Sequence, residues 1–408
     1  VSAAAEAETI VPDAAPSARR AFDGVICFGG EDWWYHNRGH YDMQMMRELS
    51  RRVPVLYVNS IGMRTPSLRE GGMFFRRVAR KLRSFRRGYV AVRENFSVVS
   101  PISVPGTLGR RLSRGTLLGQ VRRGAARLGI ARPLVWINCP PGAEALDAID
   151  PVGLVYQRTD RYEEFHGVDR ALISGYDRRL KREADLTLFC STLLYEQERG
   201  QCARAMFVDH GADADRFEAA GRNPADPPDV ARIGRPRVGF VGGIDAHTFW
   251  PEMFEEVVRA MPDVQFVLVG GKTLPDEWCD EPNAHFLGQK AYEDVPAYMA
   301  ACDALVMPWN RGEWIKACNP VKLKEYLAVG RPIVTTSFHE LKRYEGLVRV
   351  ADDAESFARQ IRAALDTPFD PEPGRDLVRE QTWTAKADAA LDGLASLGLA
   401  PAGKGSAS

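Results

Sequence analysis

Residues 319–334 read Asn319-Pro320-Val321-Lys322-Leu323-Lys324-Glu325-Tyr326-Leu327-Ala328-Val329-Gly330-Arg331-Pro332-Ile333-Val334. Pro320 suits the first turn of a helix, with Asn319 as its N-cap. Gly330 suits the C-terminal stop. Leu323, Leu327 and the short apolar strand Ile333–Val334 are expected to enter a core. The first turn of such a helix carries unpaired N–H groups and is a ready anion site. Lys322 and Glu325, three apart, share one face of it. A cation beside free N–H groups can hold a diphosphate, and a carboxylate can take both hydroxyls of a ribose.

Outward from this helix, short apolar runs alternate with helix-like stretches. Upstream strand candidates are Gly24–Phe28, Val53–Asn59, Leu134–Asn138, Leu154–Gln157, Leu186–Cys190 and Ala205–Val208. Residues 218–236 hold Gly221, Asn223, Pro224, Pro227, Pro228, Gly234 and Pro236, the composition of a linker. The alternation then restarts with Arg237–Val241, Val264–Val269, His285–Leu287, Ala304–Met307, Ile333–Thr336 and Leu347–Val350. Strands alternating with helices imply βαβ units and parallel sheets. The expected division is a disordered tail over 1–20, a first domain over 21–217, the linker over 218–236 and a second domain over 237–375. A last amphipathic helix over 376–398 and a disordered tail over 399–408 complete it.

The stretch 319–334 resembles the donor-site helix of bacterial GT-B glycosyltransferases, especially the glycosyltransferase family 4-like (group 1) members of teichuronic acid and exopolysaccharide biosynthesis. Other segments resemble the same group: 27–33 (CFGGEDW), 93–101 (RENFSVVSP), 156–165 (YQRTDRYEEF) and 238–245 (VGFVGGID). The resemblance implies an α/β fold of two Rossmann-like domains whose parallel sheets face across a cleft. It also implies transfer of a sugar from a nucleotide-diphosphate sugar to a lipid-linked or polysaccharide acceptor of the cell envelope. Many retaining members carry two glutamates with seven residues between them. Glu325 matches the second, but the first falls on Ala317, and Glu313 lies four residues too early. Retention and inversion both stay open.

The resemblance assigns donor binding to Gly242, Gly243, Gly271, Gln289, Asn319, Lys322 and Glu325. The basic residue that usually follows the first of these loops is missing, since Ile244-Asp245-Ala246 comes next, so Lys322 carries more of the phosphate charge. A plain tight turn is the other reading of Gly242-Gly243. In the first domain, Gly30, Glu31, Asp32, Trp33 and His36 form a dense polar and aromatic run after a strand. Such residues can stack on sugar faces and bind hydroxyls; the alternative is a loop with packed tryptophans. Asp160 follows another strand end and is the first candidate for a general base, the alternative being a salt bridge to Arg158 or Arg161. Asp160 and Lys322 are the catalytic candidates. His210, before Gly211-Ala212-Asp213, reads as structural. The remaining histidines show no metal-ligand spacing, and no metal or other cofactor is expected.

The chain has 408 residues, with 54 basic and 54 acidic side chains, so its net charge is zero. That sum hides an imbalance. Residues 64–132 contain 17 Lys and Arg against Glu70 and Glu94 alone. Within them, residues 73–88 read MFFRRVARKLRSFRRG, where Phe74, Val78, Leu82 and Phe85 form an apolar stripe on a basic helix. This is the pattern of a membrane-surface helix, with Phe74, Arg76, Arg77, Arg80, Lys81, Arg83, Arg86 and Arg87 as the patch. A helix docked on the core with a solvated basic face is the alternative. No recognition motif accompanies the charge, so nucleic acid is not the expected partner. The composition, 45% hydrophobic and 26% charged, excludes a mainly disordered, collagenous or disulfide-scaffold chain. The seven cysteines form no CxxC pair and fit free core thiols. No apolar run is long enough to span a bilayer, so the expected location is cytoplasmic, peripheral on the inner face of the plasma membrane. Two other functions stay open: a nucleotide-sugar epimerase on the same fold, and a non-catalytic protein binding membrane or nucleic acid through 64–132.

Overall fold

The computed structural model describes residues 20–35, 39–63, 72–102, 107–165 and 167–402. Side chains of 72–78, 107, 108 and 110–112 also lie outside the described set. The chain divides into two compact units. The first is Val1–Asp209 with Lys386–Ser408, and the second is His210–Ala385.

In the first unit the chain runs β1 (Arg20–Phe22), β2 (Gly24–Phe28), α1 (Tyr41–Leu49), β3 (Val55–Val58), α2 (Gly72–Arg87), β4 (Tyr89–Arg93), β5 (Phe96–Val99), α3 (Thr107–Arg127), β6 (Pro133–Ile137), α4 (Leu146–Ile149), β7 (Gly153–Arg158), α5 (Arg170–Glu183), β8 (Leu186–Phe189), α6 (Thr192–Glu198) and β9 (Ala205–Phe207). The sheet order is β4-β5-β3-β2-β6-β7-β8-β9, parallel except for β4. Strands β2, β3, β5, β6 and β7 are buried at every residue. A parallel sheet covered on both faces requires this, and it is why these segments read as continuous apolar runs. The β4–β5 hairpin was not foreseen; it turns through Asn95, at φ 58°.

The second unit follows as α7 (Ala214–Arg222), β10 (Arg237–Val241), α8 (Pro251–Ala260), β11 (Gln265–Val269), β12 (Ala284–Gly288), α9 (Val295–Ala300), β13 (Ala304–Met307), α10 (Glu313–Lys316), α11 (Val321–Val329), β14 (Ile333–Thr335), β15 (Arg349–Val350), α12 (Ala354–Asp366) and α13 (Glu372–Arg379). The order is β12-β11-β10-β13-β14-β15, all parallel. Alternation along β11 fills both faces: Val267 and Val269 join Phe217, Leu323, Tyr326 and Leu327. Phe266 and Leu268 join Phe254, Val257, Phe357 and Ile361. Helix α14 (Trp383–Ser396) and β16 (Leu399–Pro401) end the described chain.

Four boundaries differ from the sequence reading. The segment 218–236 is not a free linker, because α7 runs through Arg222 and packs on α11. A Cβ on Gly221 would stand 1.8 Å from the Val329 carbonyl oxygen, so only glycine allows this approach. The chain therefore changes unit at 209/210. The single helix expected over 376–398 is two, α13 and α14, and the return to the first unit falls at 385/386 inside α14. The tails expected over 1–20 and 399–408 meet: Arg20↔Leu399 and Phe22↔Pro401 pair in parallel, with Phe22 and Leu399 buried. Residues 1–19 and 403–408 lie outside the described residues. All seven cysteines are free, six buried and Cys202 half-buried.

Candidate functional site

In a doubly wound sheet, ligands bind beyond the carboxyl ends of the strands where the winding reverses. In the second unit that point lies between β10 and β13. Gly242-Gly243 leaves β10 there, and the chain leaving β13 leads into α11. Pro320, not Asn319, is the N-cap of α11; its extended backbone (φ −77°, ψ 120°) holds it just outside the helix. Asn319 is buried one residue earlier. The amides of Val321 and Lys322 then belong to the open first turn, which has no intrahelical acceptor. At the other end Gly330 stops the helix as expected, in the left-handed region at φ 76°. The Arg375 guanidinium donates to the last carbonyls, Ala328 at 3.2 Å and Val329 at 3.0 Å.

The Lys322 ammonium lies 4.5 Å from the centre of the Phe240 ring and 5.7 Å from that of Trp309. A Cβ on Gly242 would stand 2.1 Å from the Lys322 Nζ. Burial pushes the ammonium down to about 8, against the pull of Glu325. Glu325, one turn further on, is buried, and its Oε1 accepts the Tyr292 hydroxyl at 3.1 Å. Burial raises its carboxyl to about 7, opposed by Tyr292 and Lys322 and helped by Asp213. Cation and carboxylate are thus both held near neutrality by the same cause.

Three glycine turns flank them. Gly242 N donates to Val269 O at 2.8 Å, Gly270 N to Gly288 O at 3.0 Å, and Ile244 N to Gly271 O at 2.9 Å. A Cβ on Gly270 would lie 1.7 Å from the Gly242 oxygen, so two strand ends touch through backbone alone. On Gly243 the only near group is Asp245 Oδ2, at 2.7 Å. Gly271 and Gly288 face open space, and Gln289 is exposed. Lys290 is tied to Asp229 at 2.6 Å. Tyr326 reaches back from α11 and accepts the Val241 N–H at 2.9 Å, fixing the end of β10.

The first unit repeats the strand–Gly–Gly plan after β2, beside β6. Here Tyr57 and Asp42 fill the space. A Cβ on Gly29 would meet the Tyr57 hydroxyl at 2.1 Å, and one on Gly30 the Asn138 amide at 2.6 Å. Asp42, from the first turn of α1, accepts Gly30 N at 2.7 Å and the Tyr57 hydroxyl at 2.7 Å. Trp33 is no sugar platform: it is 2% exposed and packs on Phe96 and Tyr57, with centroids 4.8 and 5.5 Å away. Glu31 and Asp32 stay half-buried at the loop surface, and Asp32 accepts Trp34 N at 3.0 Å. His36 lies outside the described residues.

Asp160 follows β7 and is half-buried. Among the described residues no cation pairs with it. Arg158 binds Glu163 through both nitrogens at 2.9 Å and Glu198 at 3.1 Å. Arg161 donates to Gln197 at 2.7 Å. Burial raises Asp160 to about 6, with Arg158 opposing and Glu31 adding to the rise. A half-buried carboxylate poised there can accept a proton near neutral pH.

Residues 235–367 match the model of the family described as glycosyl transferases group 1. A candidate teichuronic acid biosynthesis glycosyltransferase of Bacillus subtilis, TuaH, is 28% identical over 191 residues. That match covers 44% of this chain and 46% of the relative, so the chain spans about half the length of the curated protein it resembles. Among solved structures, sucrose-phosphate synthase from Thermosynechococcus elongatus superposes with a TM-score of 0.64 at 15% identity, covering 90% of this chain and 97% of that one. Anabaena HepE, solved with UDP and glucose, gives 0.63 at 16% identity, covering 92% and 100%. The fold is GT-B. Its second unit contains the stretch that matches the group 1 glycosyl transferase model.

On this GT-B chain the basic helix α2 is docked, not free. Lys81 turns inward and donates to Ser60 O, and burial lowers its ammonium. Ser84 is fully buried against Ser100 at 3.2 Å. Arg87 lies over Trp34 at 4.6 Å, and Arg80 and Arg83 over Tyr35 at 5.7 and 5.9 Å. Arg80, Arg83, Arg86 and Arg87 remain exposed beside Leu82, itself 55% exposed. The side chains of Phe74, Arg76 and Arg77 lie outside the described residues. Lys81 therefore leaves the expected patch, because its stem lies on the face that meets the β3 end. No helix of the described residues is long and apolar enough to cross a membrane. Among the described residues no three His, Cys, Asp or Glu side chains converge as a metal site.

Proposed function

We propose that the chain is a glycosyltransferase that moves a sugar from a nucleotide-diphosphate sugar to a lipid-linked or polysaccharide acceptor of the cell envelope. One observation carries the reading: a half-buried cation and a buried carboxylate, Lys322 and Glu325, stand one turn apart on the helix that opens at the switch point of the unit matching the group 1 model. Lys322 and the first-turn amides of α11 stabilise the departing diphosphate. Glu325 binds the ribose hydroxyls, and the turns at Gly242-Gly243 and Gly270-Gly271 admit phosphate close to backbone. Asp160 takes the acceptor proton if the reaction inverts. Ala317, buried at the end of α10, cannot supply a second carboxylate. The UDP-bound relatives of the same fold support the donor class, and TuaH supports the acceptor class.

The test is binding of UDP-, GDP- and ADP-sugars by thermal shift and calorimetry, with Glu325→Ala beside the native chain. A hit that the variant loses supports the donor site. Native affinity in the variant removes Glu325 from it. The exposed arginines of α2 support docking on an anionic lipid surface, where each contributes roughly 1 kcal/mol. Reversing Arg80, Arg83, Arg86 and Arg87 to Glu should abolish sedimentation with phosphatidylserine vesicles; unchanged sedimentation returns α2 to a solvated face.

A further inference from the structure

Glu325 receives its hydrogen bond from outside its own helix. Tyr292 stands in the connection between β12 and α9, and its hydroxyl reaches Oε1 at 3.1 Å. The ring is fixed from a third element. Phe217 of α7 packs on it at 6.2 Å, and the Arg216 guanidinium lies 5.7 Å over it. Arg216 is itself held by Asp213 at 2.9 Å. Burial, with Glu325 and Asp213 nearby, keeps the phenol protonated far above its ordinary range, so it donates and the carboxylate accepts. Among the described residues Oε2 of Glu325 has no protein donor.

We propose that Tyr292 is a positioning residue of the nucleoside site: its hydroxyl locks the Glu325 carboxylate in the orientation that leaves Oε2 and one Oε1 lone pair for two ribose hydroxyls. This rests on the reading of Glu325 as the ribose ligand. A glutamate has three side-chain torsions, and fixing them before the ligand arrives removes an entropic cost from binding. A charge-assisted donor also offsets the burial of the carboxylate. The groups that set its charge are Tyr292, Lys322 and Asp213, from three separate segments. Nothing in the spacing of 319–334 pointed to a tyrosine 33 residues upstream.

The experiment is calorimetry of the full chain at pH about 7.5 with UDP, GDP and ADP in parallel arms, for Tyr292→Phe, Glu325→Gln and the double variant. Tyr292→Phe keeps the ring and should leave Tm unchanged. It should weaken the nucleotide that binds by about 3- to 10-fold, the net range of one ordinary hydrogen bond, and move the acid side of the binding profile to higher pH. In the Glu325→Gln background the same change should add little, because the effect passes through the carboxylate. Native affinity in Tyr292→Phe beside an impaired Glu325→Gln overturns the inference and leaves the donor site standing. Equal losses in both backgrounds overturn it too, since the phenol would then act on the ligand directly. Native affinity in Glu325→Gln, or no binding of any nucleotide, overturns the donor-site reading itself.

Discussion

Both units place two glycines after the first long strand of a parallel sheet, and the two pairs do different work. After β2 the missing side chains are replaced by the protein's own groups: Tyr57 occupies the Gly29 position and Asn138 the Gly30 position. After β10 the Gly242 position is taken by the movable end of Lys322, and the neighbouring Gly271 and Gly288 turns are open. One pair serves packing and the other leaves room. The same dipeptide therefore signals a site only when what fills its vacant Cβ position can move or leave. The carboxylates follow suit. Among the described residues Asp160 stands without a paired cation beside a fully used Arg158, whereas Glu325 is held by a donor and balanced by a cation.

The largest effect should come from Asp160. Asp160→Asn keeps the shape and removes the base, so turnover should fall about 10²- to 10⁴-fold while donor affinity stays native. Wild-type turnover, followed as release of nucleoside diphosphate, would strike Asp160 from the mechanism. The glycine comparison is sharpened by a matched pair. Gly29→Ala drives a methyl into the Tyr57 ring and should cost about 1–3 kcal/mol of stability in urea unfolding, as overpacking does. Gly271→Ala, in the turn beside Gly242, meets no protein atom within 4 Å and should barely move the unfolding midpoint, but should weaken nucleotide-sugar binding by about tenfold, one charge-assisted contact. If the two variants lose stability alike, the contrast between the turns is wrong.

Much of this was legible in the sequence. Helix α11, its glycine stop and the strand after it follow from local rules, although the cap falls on Pro320, one residue later than expected. Asp160 was placed correctly beyond its strand. What the sequence could not show is which side of an element meets a neighbour. Trp33 and Trp34 are adjacent in a loop with no period, yet one is core and the other hydrogen-bonds Ser100 at 2.9 Å. Lys81 sits among six arginines of the same charge, and only the β3 end beside it decides that it points inward. Asp42 and Tyr292 act over 12 and 33 residues on groups they share no motif with. Strands β1 and β16 are three residues each, too short for any pattern to rise above alanine- and proline-rich surroundings.

The smallest predicted effect separates the two carboxylates by their partners. Asp160 has one competing influence and Glu325 is coupled to Lys322, so their pH dependences should differ in shape. Turnover should rise as pH passes about 6, where Asp160 loses its proton, and then level off. Donor binding should instead pass through a maximum. Below about 7 Glu325 gains a proton and its ability to accept two hydroxyls declines; above about 8 Lys322 loses the charge that meets the diphosphate. On either side the affinity should fall by at most about tenfold per pH unit, the limit for a single proton. Because free-protein ionisations govern association, calorimetric affinity for a nucleotide sugar from pH 5.5 to 9.5 is the direct measure. A flat profile would mean that burial does not hold these two groups near neutrality, and a maximum that survives Glu325→Gln would assign its acid side to another group.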